Sequence, residues 1–141
     1  MLLLPLSLMP FIEEDIATKI HIDPEILTEI QEEAQVIVHC SFYNDPALYF
    51  GEMGLRVWRE TFLIDEATGS KYPLIKALNI VYEPAWCFIG PGETKNFTMI
   101  FAALPKSCAS FTLAELINQP GPFIIRGIAR KASDVYRVRL D

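Results

Sequence analysis

The chain has 141 residues, of which 51% are hydrophobic and 21% charged, and it carries a net charge of -6. These values are those of an ordinary globular domain, and they argue against a disordered chain and a multispan membrane protein. The acidic balance argues against nucleic acid as a partner, because phosphate neutralisation needs a clustered excess of Lys and Arg. One domain with its own core is therefore expected.

Residues 1–10, MLLLPLSLMP, form an apolar run. A helix needs about 20 such residues to span a bilayer, so no integral membrane span is expected. The run is similar to the apolar part of a secretory signal, although it has no basic segment before it and no A-x-A site after it. We interpret residues 1–18 as an apolar leader, a truncated signal segment with an acidic linker, and residues 19–141 as the domain. A first strand or a structureless tail is the alternative for the leader.

Residues 23–34, DPEILTEIQEEA, fit two structures. The DP at the start is typical of a helix N-terminus, and acids and apolar residues follow at helical spacing. However, Ile26, Thr28 and Ile30 also alternate as they would in a strand paired with the next segment. Helix and strand both stay open for this segment.

Four later segments alternate apolar residues with a period of two, which predicts strands with one face toward a core. They are VIVHCSFY (36–43), NFTMIFA (96–102), SFTLAEL (110–116) and VYRVRL (135–140). The residues predicted to face the core are Val36, Val38, Cys40, Phe42, Phe97, Met99, Phe101, Phe111, Leu113, Tyr136, Val138 and Leu140.

Turn residues separate the strands at short intervals, as in YNDP (43–46), GPGE (90–93) and NQPGP (118–122). The segment DEATGSKYP (65–73) contains a glycine, a serine and a lysine, but it lacks the spacing of a phosphate-binding loop and is interpreted as a hairpin turn. Short strands at this spacing predict an all-β fold, an antiparallel β-sandwich of about seven to eight strands.

Residues that could carry catalysis are few. Cys40, Cys87 and Cys108 have no CxxC spacing, so buried free thiols are favoured over one disulfide plus a free thiol. His39 and Cys40 are neighbours in a predicted strand and point to opposite faces, so they cannot share a metal ion. We predict no catalytic residue, no cofactor site and no metal site.

Aromatic residues are concentrated in two segments, YNDPALYFGEMGLRVW (43–58) and VYEPAWCF (81–88). If the two segments meet at one end of the sandwich, they form an apolar patch that serves as a protein or glycan contact. Packing in the core is the alternative explanation for aromatic residues in a chain of this size. The candidate binding residues are Tyr43, Tyr49, Trp58, Tyr82, Trp86 and Phe88.

Several short sequence motifs follow one another in an order that is similar to that of a known family of domains. The sequence contains a D-x-x-G-x-x-Y-P hairpin with one extra residue, a P-G-E turn, a strand ending in F-x-x-L-P, an F-x-L strand and a closing G-I. The matching residues are Asp65, Gly69, Tyr72, Pro73, Pro91, Gly92, Glu93, Phe101, Leu104, Pro105, Phe111, Leu113, Gly127 and Ile128. This pattern, across residues 36–130, resembles an uncharacterised family of bacterial cell-envelope domains with an immunoglobulin-like β-sandwich.

The resemblance implies an immunoglobulin-like sandwich, and some domains of this family precede a thioredoxin-like domain. It carries over no catalytic residues. We therefore expect a non-catalytic accessory or binding module, periplasmic or in the cell envelope if the leader is a signal and cytoplasmic otherwise. The alternatives are a regulatory domain associated with a thioredoxin-like oxidoreductase, and a small hydrolase whose site the linear sequence does not reveal.

Overall fold

The computed structural model describes residues 35–140, which form nine β-strands and no helix. The strands are β1 (Val36–Tyr43), β2 (Met53–Leu55), β3 (Thr61–Asp65), β4 (Lys71–Leu78), β5 (Cys87–Ile89), β6 (Thr94–Phe101), β7 (Ser110–Glu115), β8 (Ile124–Ala129) and β9 (Val135–Leu140). The all-β class is confirmed. The predictions for the leader and for residues 23–34 lie outside the described residues.

Seven strands form one curled sheet in the order β8-β7-β3-β4-β6-β1-β9, and β2 pairs with β5 in a separate ribbon. The strand β4 pairs with β3 through its first residues and with β6 through its later ones, with a register shift between Leu74 and Lys76. A strand that passes between layers in this way forms the corner of a sandwich. Phe111 on β7 and Tyr136 on β9 meet edge-to-face with ring centres 4.9 Å apart, so the sheet is folded over its own core.

Two details differ from the expected antiparallel arrangement of seven to eight strands. The count is nine because β2 and β5 have three residues each, too few for an alternating pattern to reveal. The strand β1 pairs with β9 in parallel, while it pairs with β6 antiparallel. A parallel pair joins strands that are distant in sequence, and no local pattern reports it.

The core follows the predicted alternation. Val36, Val38, Cys40 and Phe42 on β1 are all buried, as are the inward residues predicted on β6 and β7. On β9, Tyr136 and Leu140 are buried and Val138 packs partly against the core. Interdigitation of these inner faces removes apolar surface from water at about 25 cal/mol per Å², and this stabilises the sandwich.

The segment 65–73 is a hairpin turn, as predicted. The side-chain carboxylate of Asp65 accepts a hydrogen bond of 3.0 Å from the N–H of Ala67, and its backbone carbonyl accepts one of 2.7 Å from the N–H of Gly69. Gly69 has φ of 77°, a left-handed conformation that glycine adopts without strain. Ser70 and Lys71 lie exposed on the solvent side of the hairpin.

Candidate functional site

The ribbon of β2 and β5 lies at one side of the sandwich. Its alternation is regular: Met53 and Leu55 pack against the core, and Val57, just past β2, is buried. The residues between them, Gly54 and Arg56, therefore belong to the opposite, outward face. The chain beyond β2 stays extended, with a bridge between Val57 and Tyr82. This extension brings segments 53–58 and 82–89 side by side, as the predicted aromatic patch requires.

Trp86 lies directly on the backbone of Gly54. A Cβ atom at position 54 would stand 2.8 Å from Cε3 of the Trp86 indole, closer than such contacts occur. Gly54 also pairs with Phe88 in the ribbon, and Phe88 lies two residues from Trp86. Trp86 is 50% exposed and Phe88 is 64% exposed. Because Gly54 has no side chain, the indole of Trp86 can lie directly on the outward face of the ribbon.

The guanidinium of Arg56 completes this surface. It lies 3.7 Å from the ring centre of Trp86 and 5.1 Å from that of Trp58, so it contacts both indoles. Its Nη1 donates a hydrogen bond of 3.2 Å to the carbonyl of Pro84. Each stack of a cation on an aromatic ring contributes about 0.5–2 kcal/mol. We call Arg56, Trp58, Trp86 and Phe88 the aromatic face.

Of the six predicted binding residues, the structure places Trp58, Trp86 and Phe88 on the aromatic face. Tyr82 differs: it is half-buried and packs against the core, and its hydroxyl accepts a hydrogen bond of 2.7 Å from the N–H of Ala77. The guanidinium of Arg59 lies 4.1 Å from its ring centre. Tyr82 thus points toward the core and is bonded to β4, so it is not part of the aromatic face.

Tyr43 directly precedes the loop of residues 44–52, and Tyr49 lies within this loop. Tyr43 ends β1 at 40% exposure, and Tyr49 is 50% exposed within the loop. The buried side chain of Asn44 holds this loop against the end of β5, because its Nδ2 donates to the carbonyls of Gly51 and Ile89, both at 2.9 Å. The loop also presents Leu48 and Phe50 at 83% and 93% exposure. An apolar loop therefore adjoins the ribbon.

Next to the aromatic face lies a pocket of about 210 Å³ that is partly open to solvent, which we call the interlayer cavity. Leu55 and Val57, the inward residues of the ribbon side, line one part of it. The two charged residues of its lining are Arg56 and Glu115, and the remaining lining residues are Phe42, Thr61, Phe97, Met99, Gly121, Phe123 and Leu140. A cleft of about 250 Å³ beside Trp58 and Trp86 shares Leu55, Arg56, Glu115 and Gly121 with the cavity. The cleft and the cavity therefore meet at Arg56.

Glu115 lies at this meeting point. Its Oε1 accepts a hydrogen bond of 2.9 Å from the N–H of Phe123. Burial raises the pKa of Glu115, while the backbone amides of Phe123 and Trp58 and the charge of Arg56 act in the opposite direction. Glu115 is thus a partly desolvated carboxyl group whose pKa is lowered by the nearby charge of Arg56 less than burial raises it.

The outer face of β1 carries a separate groove of about 530 Å³, lined by His39 and by Arg137 and Arg139 of β9. His39 is 7% exposed, with its Nδ1 hydrogen-bonded to the hydroxyl of Thr98 at 2.9 Å. Burial, with the charge of Arg137, lowers the pKa of His39 below 6.5. His39 is thus a buried imidazole with its Nδ1 hydrogen-bonded and no hydrogen-bond partner for its Nε2 among the described residues.

The chemistry of the remaining residues is limited. All three cysteines are free; Cys40 and Cys108 are buried, as expected, and Cys87 is only partly covered. Within residues 35–140, no group of His, Cys, Asp and Glu is arranged to hold a metal ion. In the same stretch, no helix is long and apolar enough to cross a membrane.

Comparisons with protein-family models, with curated proteins and with solved structures give no match to the chain.

Three residues of the site were not singled out from the sequence: Asn44, Arg56 and Glu115. A signal existed for Arg56, since Gly54, Arg56 and Trp58 share one face at a period of two in GEMGLRVW. For Asn44 and Glu115 the local pattern gives none. Their roles depend on partners that are distant along the chain.

Proposed function

We propose that this domain is a non-catalytic binding module that recognises a partner through the aromatic face. The observation that carries the proposal is the position of Arg56, whose guanidinium contacts the indoles of Trp58 and Trp86. Trp86 and Phe88 are each at least half exposed. Exposed contiguous apolar surface marks interaction sites on soluble domains. Solvation alone would favour polar side chains at these positions.

A protein partner is favoured over a glycan. Trp, Tyr and Arg are the residues that contribute most of the binding energy in protein interfaces, and the aromatic face combines two Trp with one Arg. The stack of Arg56 on Trp86 holds both side chains in place before a partner arrives. Because these side chains are already ordered in the free domain, less side-chain conformational entropy is lost on binding.

We also propose a location in the bacterial envelope. This part of the proposal is supported by the apolar run of residues 1–10 and by the resemblance of residues 36–130 to envelope domains. The favoured partner is then a protein of that compartment.

The test is capture of a partner from an envelope extract of the source organism. Immobilised wild-type protein, Trp86→Ala and Phe88→Ala are compared, with Phe50→Ala as the control because Phe50 is an exposed aromatic residue outside the aromatic face. We expect Trp86→Ala and Phe88→Ala to weaken capture about tenfold or more, and Phe50→Ala to keep it. Circular dichroism checks that the variants are folded. Undiminished capture by both folded face variants refutes the proposal.

Protease treatment of the extract then identifies the class of partner. Capture that is lost after proteolysis indicates a protein. Capture that survives proteolysis, but is lost after periodate oxidation, indicates a glycan.

A further inference from the structure

We propose that the outer edge of β9 is a strand-addition site, and that its occupant is the segment EILTEIQE (24–31) of the same chain. The edge of a sheet presents a row of backbone N–H and C=O groups to any segment that can pair with it. This inference goes beyond the proposed function, because the edge of β9 and the aromatic face have no residue in common.

The strand β9 ends the seven-stranded sheet, and among residues 35–140 no strand pairs along its outer side. The N–H of Ile37 on β1 donates to the carbonyl of Asp134 at 2.9 Å, and Ile37 stands beside Val135. Since alternate residues of a strand direct their backbone groups to opposite sides, the groups of Val135 and Arg139 point to the outer side. The edge therefore offers donors and acceptors at every second residue.

The opposite edge of the sheet, β8, is less suited to another strand. Its register with β7 shifts between Phe111 and Leu113, and Gly127 has φ of 69°. An irregular edge strand of this kind resists further pairing. In contrast, β9 keeps a single register with β1 over all six of its residues. Of the two edges, β9 is the one that a further strand can extend.

The charge of β9 selects the occupant. Arg137 and Arg139 are exposed on its outward face. Pairing of β9 with the β9 of a second copy would bring the arginines of the two copies close together, and like charges across a strand pair are destabilising. A strand with acidic residues on the corresponding face is favoured instead.

The segment 24–31 has this pattern. Ile26 and Ile30 share one face of an extended chain, while Glu25 and Glu29 lie on the other. With the isoleucines on the core side, they extend the apolar layer beside Val138, which faces the core but is only partly buried. The two glutamates then lie on the same face as the two arginines of β9.

The connection to β1 has the required length. A strand paired with β1 itself has no place, because β6 and β9 occupy the two sides of β1. The outer edge of β9 is two strand spacings from β1, about 10 Å, and four extended residues span up to about 13 Å. Residues 32–35 can therefore cross the start of β9, which lies beside the start of β1 because the two strands are parallel. The segment then runs antiparallel to β9.

This placement predicts which amides of the segment pair with β9. Residues that stand opposite each other in an antiparallel pair lie on the same face. The odd-numbered residues of the segment therefore stand opposite the odd-numbered residues of β9, whose backbone groups point outward. It follows that the N–H of Leu27 points to β9, whereas the N–H of Thr28 points to solvent.

A pair of proline variants of the full chain tests the proposal, because proline removes one N–H donor. The readout is hydrogen exchange of the amide at Arg139, measured by NMR. We expect slow exchange in the wild type, exchange at least about tenfold faster in Leu27→Pro, and a change of less than about threefold in Thr28→Pro. The amide of Val138, which points to β1, should stay protected in all three proteins and reports that the domain is folded.

Three outcomes overturn the proposal. The first is an amide at Arg139 that exchanges as fast in the wild type as in Leu27→Pro. The second is an equal effect of the two proline variants. The third is protection that increases with protein concentration, since this assigns the edge of β9 to a second copy.

A charge exchange tests the occupant independently of the proline variants. Glu29→Lys and Arg139→Glu should each lower the protection of the amide at position 139 by about threefold, and the double variant should recover it. Additive losses in the double variant contradict the assigned contact. Trp86→Ala separates the two proposals, because it should weaken partner capture and leave this protection unchanged.

Discussion

The carboxylate of Glu66, in the β3–β4 turn, accepts a hydrogen bond of 2.7 Å from the backbone N–H of Gly127 on β8. Gly127 has φ of 69° and lies where the register of β7 and β8 is irregular. The same carboxylate accepts hydrogen bonds from the hydroxyls of Ser110 and Thr112 on β7, at 2.7 and 2.8 Å. One exposed side chain thus joins the hairpin turn to two strands at the edge of the sheet.

Replacement of Glu66 by Ala should destabilise the domain in a pH-dependent way. The hydrogen bond from Ser110, followed by those from Gly127 and Thr112, lowers the pKa of Glu66 from 4.5. A lowered carboxyl pKa contributes stability that is present above pH 4.5 and is lost as the pH falls through the folded pKa. Melting temperatures of wild type and Glu66→Ala should therefore differ at pH 7 and converge in acid.

The control for this comparison is Glu60→Ala, since Glu60 is an exposed acid whose backbone carbonyl, and not its side chain, bonds to Leu116. At pH 7 it should change the melting temperature much less than Glu66→Ala does. A constant difference between wild type and Glu66→Ala from pH 7 to pH 3 would show that the carboxylate has no special role.

Arg130 should be a major contributor to stability. Its guanidinium forms a bidentate pair with Asp134, with distances of 2.6 and 2.9 Å, and it donates to the carbonyls of Pro105 and Cys108. It thereby fastens the β6–β7 loop to the β8–β9 loop. Arg130→Ala should cost about 2–4 kcal/mol, because it removes the cation paired with the partly buried carboxylate of Asp134 and the donor to the carbonyls of Cys108 and Leu104. The hydroxyl of Tyr136 remains as a donor to Asp134.

Urea unfolding measures this cost. Arg130→Lys should recover only part of it, because an ammonium cannot form the bidentate pair. The matched control is Lys106→Ala, an exposed cation on the same β6–β7 loop, which should change the unfolding free energy by less than about 0.5 kcal/mol. Equal effects of Arg130→Ala and Lys106→Ala would contradict the assignment.

The period of two in the sequence predicts four of the strands with a buried inner face, β1, β6, β7 and β9, but not β3. On β1, burial of Val36, Val38, Cys40 and Phe42 requires a period of two, and that period is visible without any structure. The hairpin at 65–73 is equally visible, because its turn chemistry is local. The parallel pairing of β1 with β9 is not visible, since it depends on how distant segments assemble.

The candidate site was only partly predictable for the same reason. Trp58, Trp86 and Phe88 could be grouped because aromatic residues are concentrated in two segments. The period of two in residues 53–58 puts Arg56 on the same face as Trp58, but its stack on Trp86 depends on the pairing of β2 with β5, which local sequence does not report. Tyr82 was grouped with the exposed aromatics, but it packs against the core, and composition alone cannot distinguish these environments.

Thiol reactivity should single out Cys87. Burial raises the pKa of Cys40 to about 12, and burial together with the charge of Asp65 raises the pKa of Cys108. Cys87 is the partly exposed thiol of the three. Because the thiolate is the reactive form, a thiol reagent at pH 8 should label one cysteine quickly in the folded protein.

Cys87→Ser is the control for that experiment, and it should remove the fast phase. Labelling of all three thiols is expected only in denaturant. A fast phase that persists in Cys87→Ser would show that Cys40 or Cys108 is accessible, contrary to their burial in the structure.

Gly54→Ala should displace Trp86 with little change in overall stability. A Cβ atom at 54 would stand 2.8 Å from the indole, so the ring must move and its stack on Arg56 is weakened. The lost contact, about 0.5–1 kcal/mol at an exposed site, is offset by the roughly 0.5–1 kcal/mol that Ala gains over Gly in a strand. In a Trp58→Phe background, the fluorescence of Trp86 should shift to longer wavelength while the unfolding midpoint stays close to wild type.

In a Trp86→Ala background the clash is absent, so Gly54→Ala should there be stabilising. Equal effects of Gly54→Ala in both backgrounds would mean that Gly54 does not seat the indole, and the aromatic face would then lack the preorganised geometry on which its proposed binding role depends.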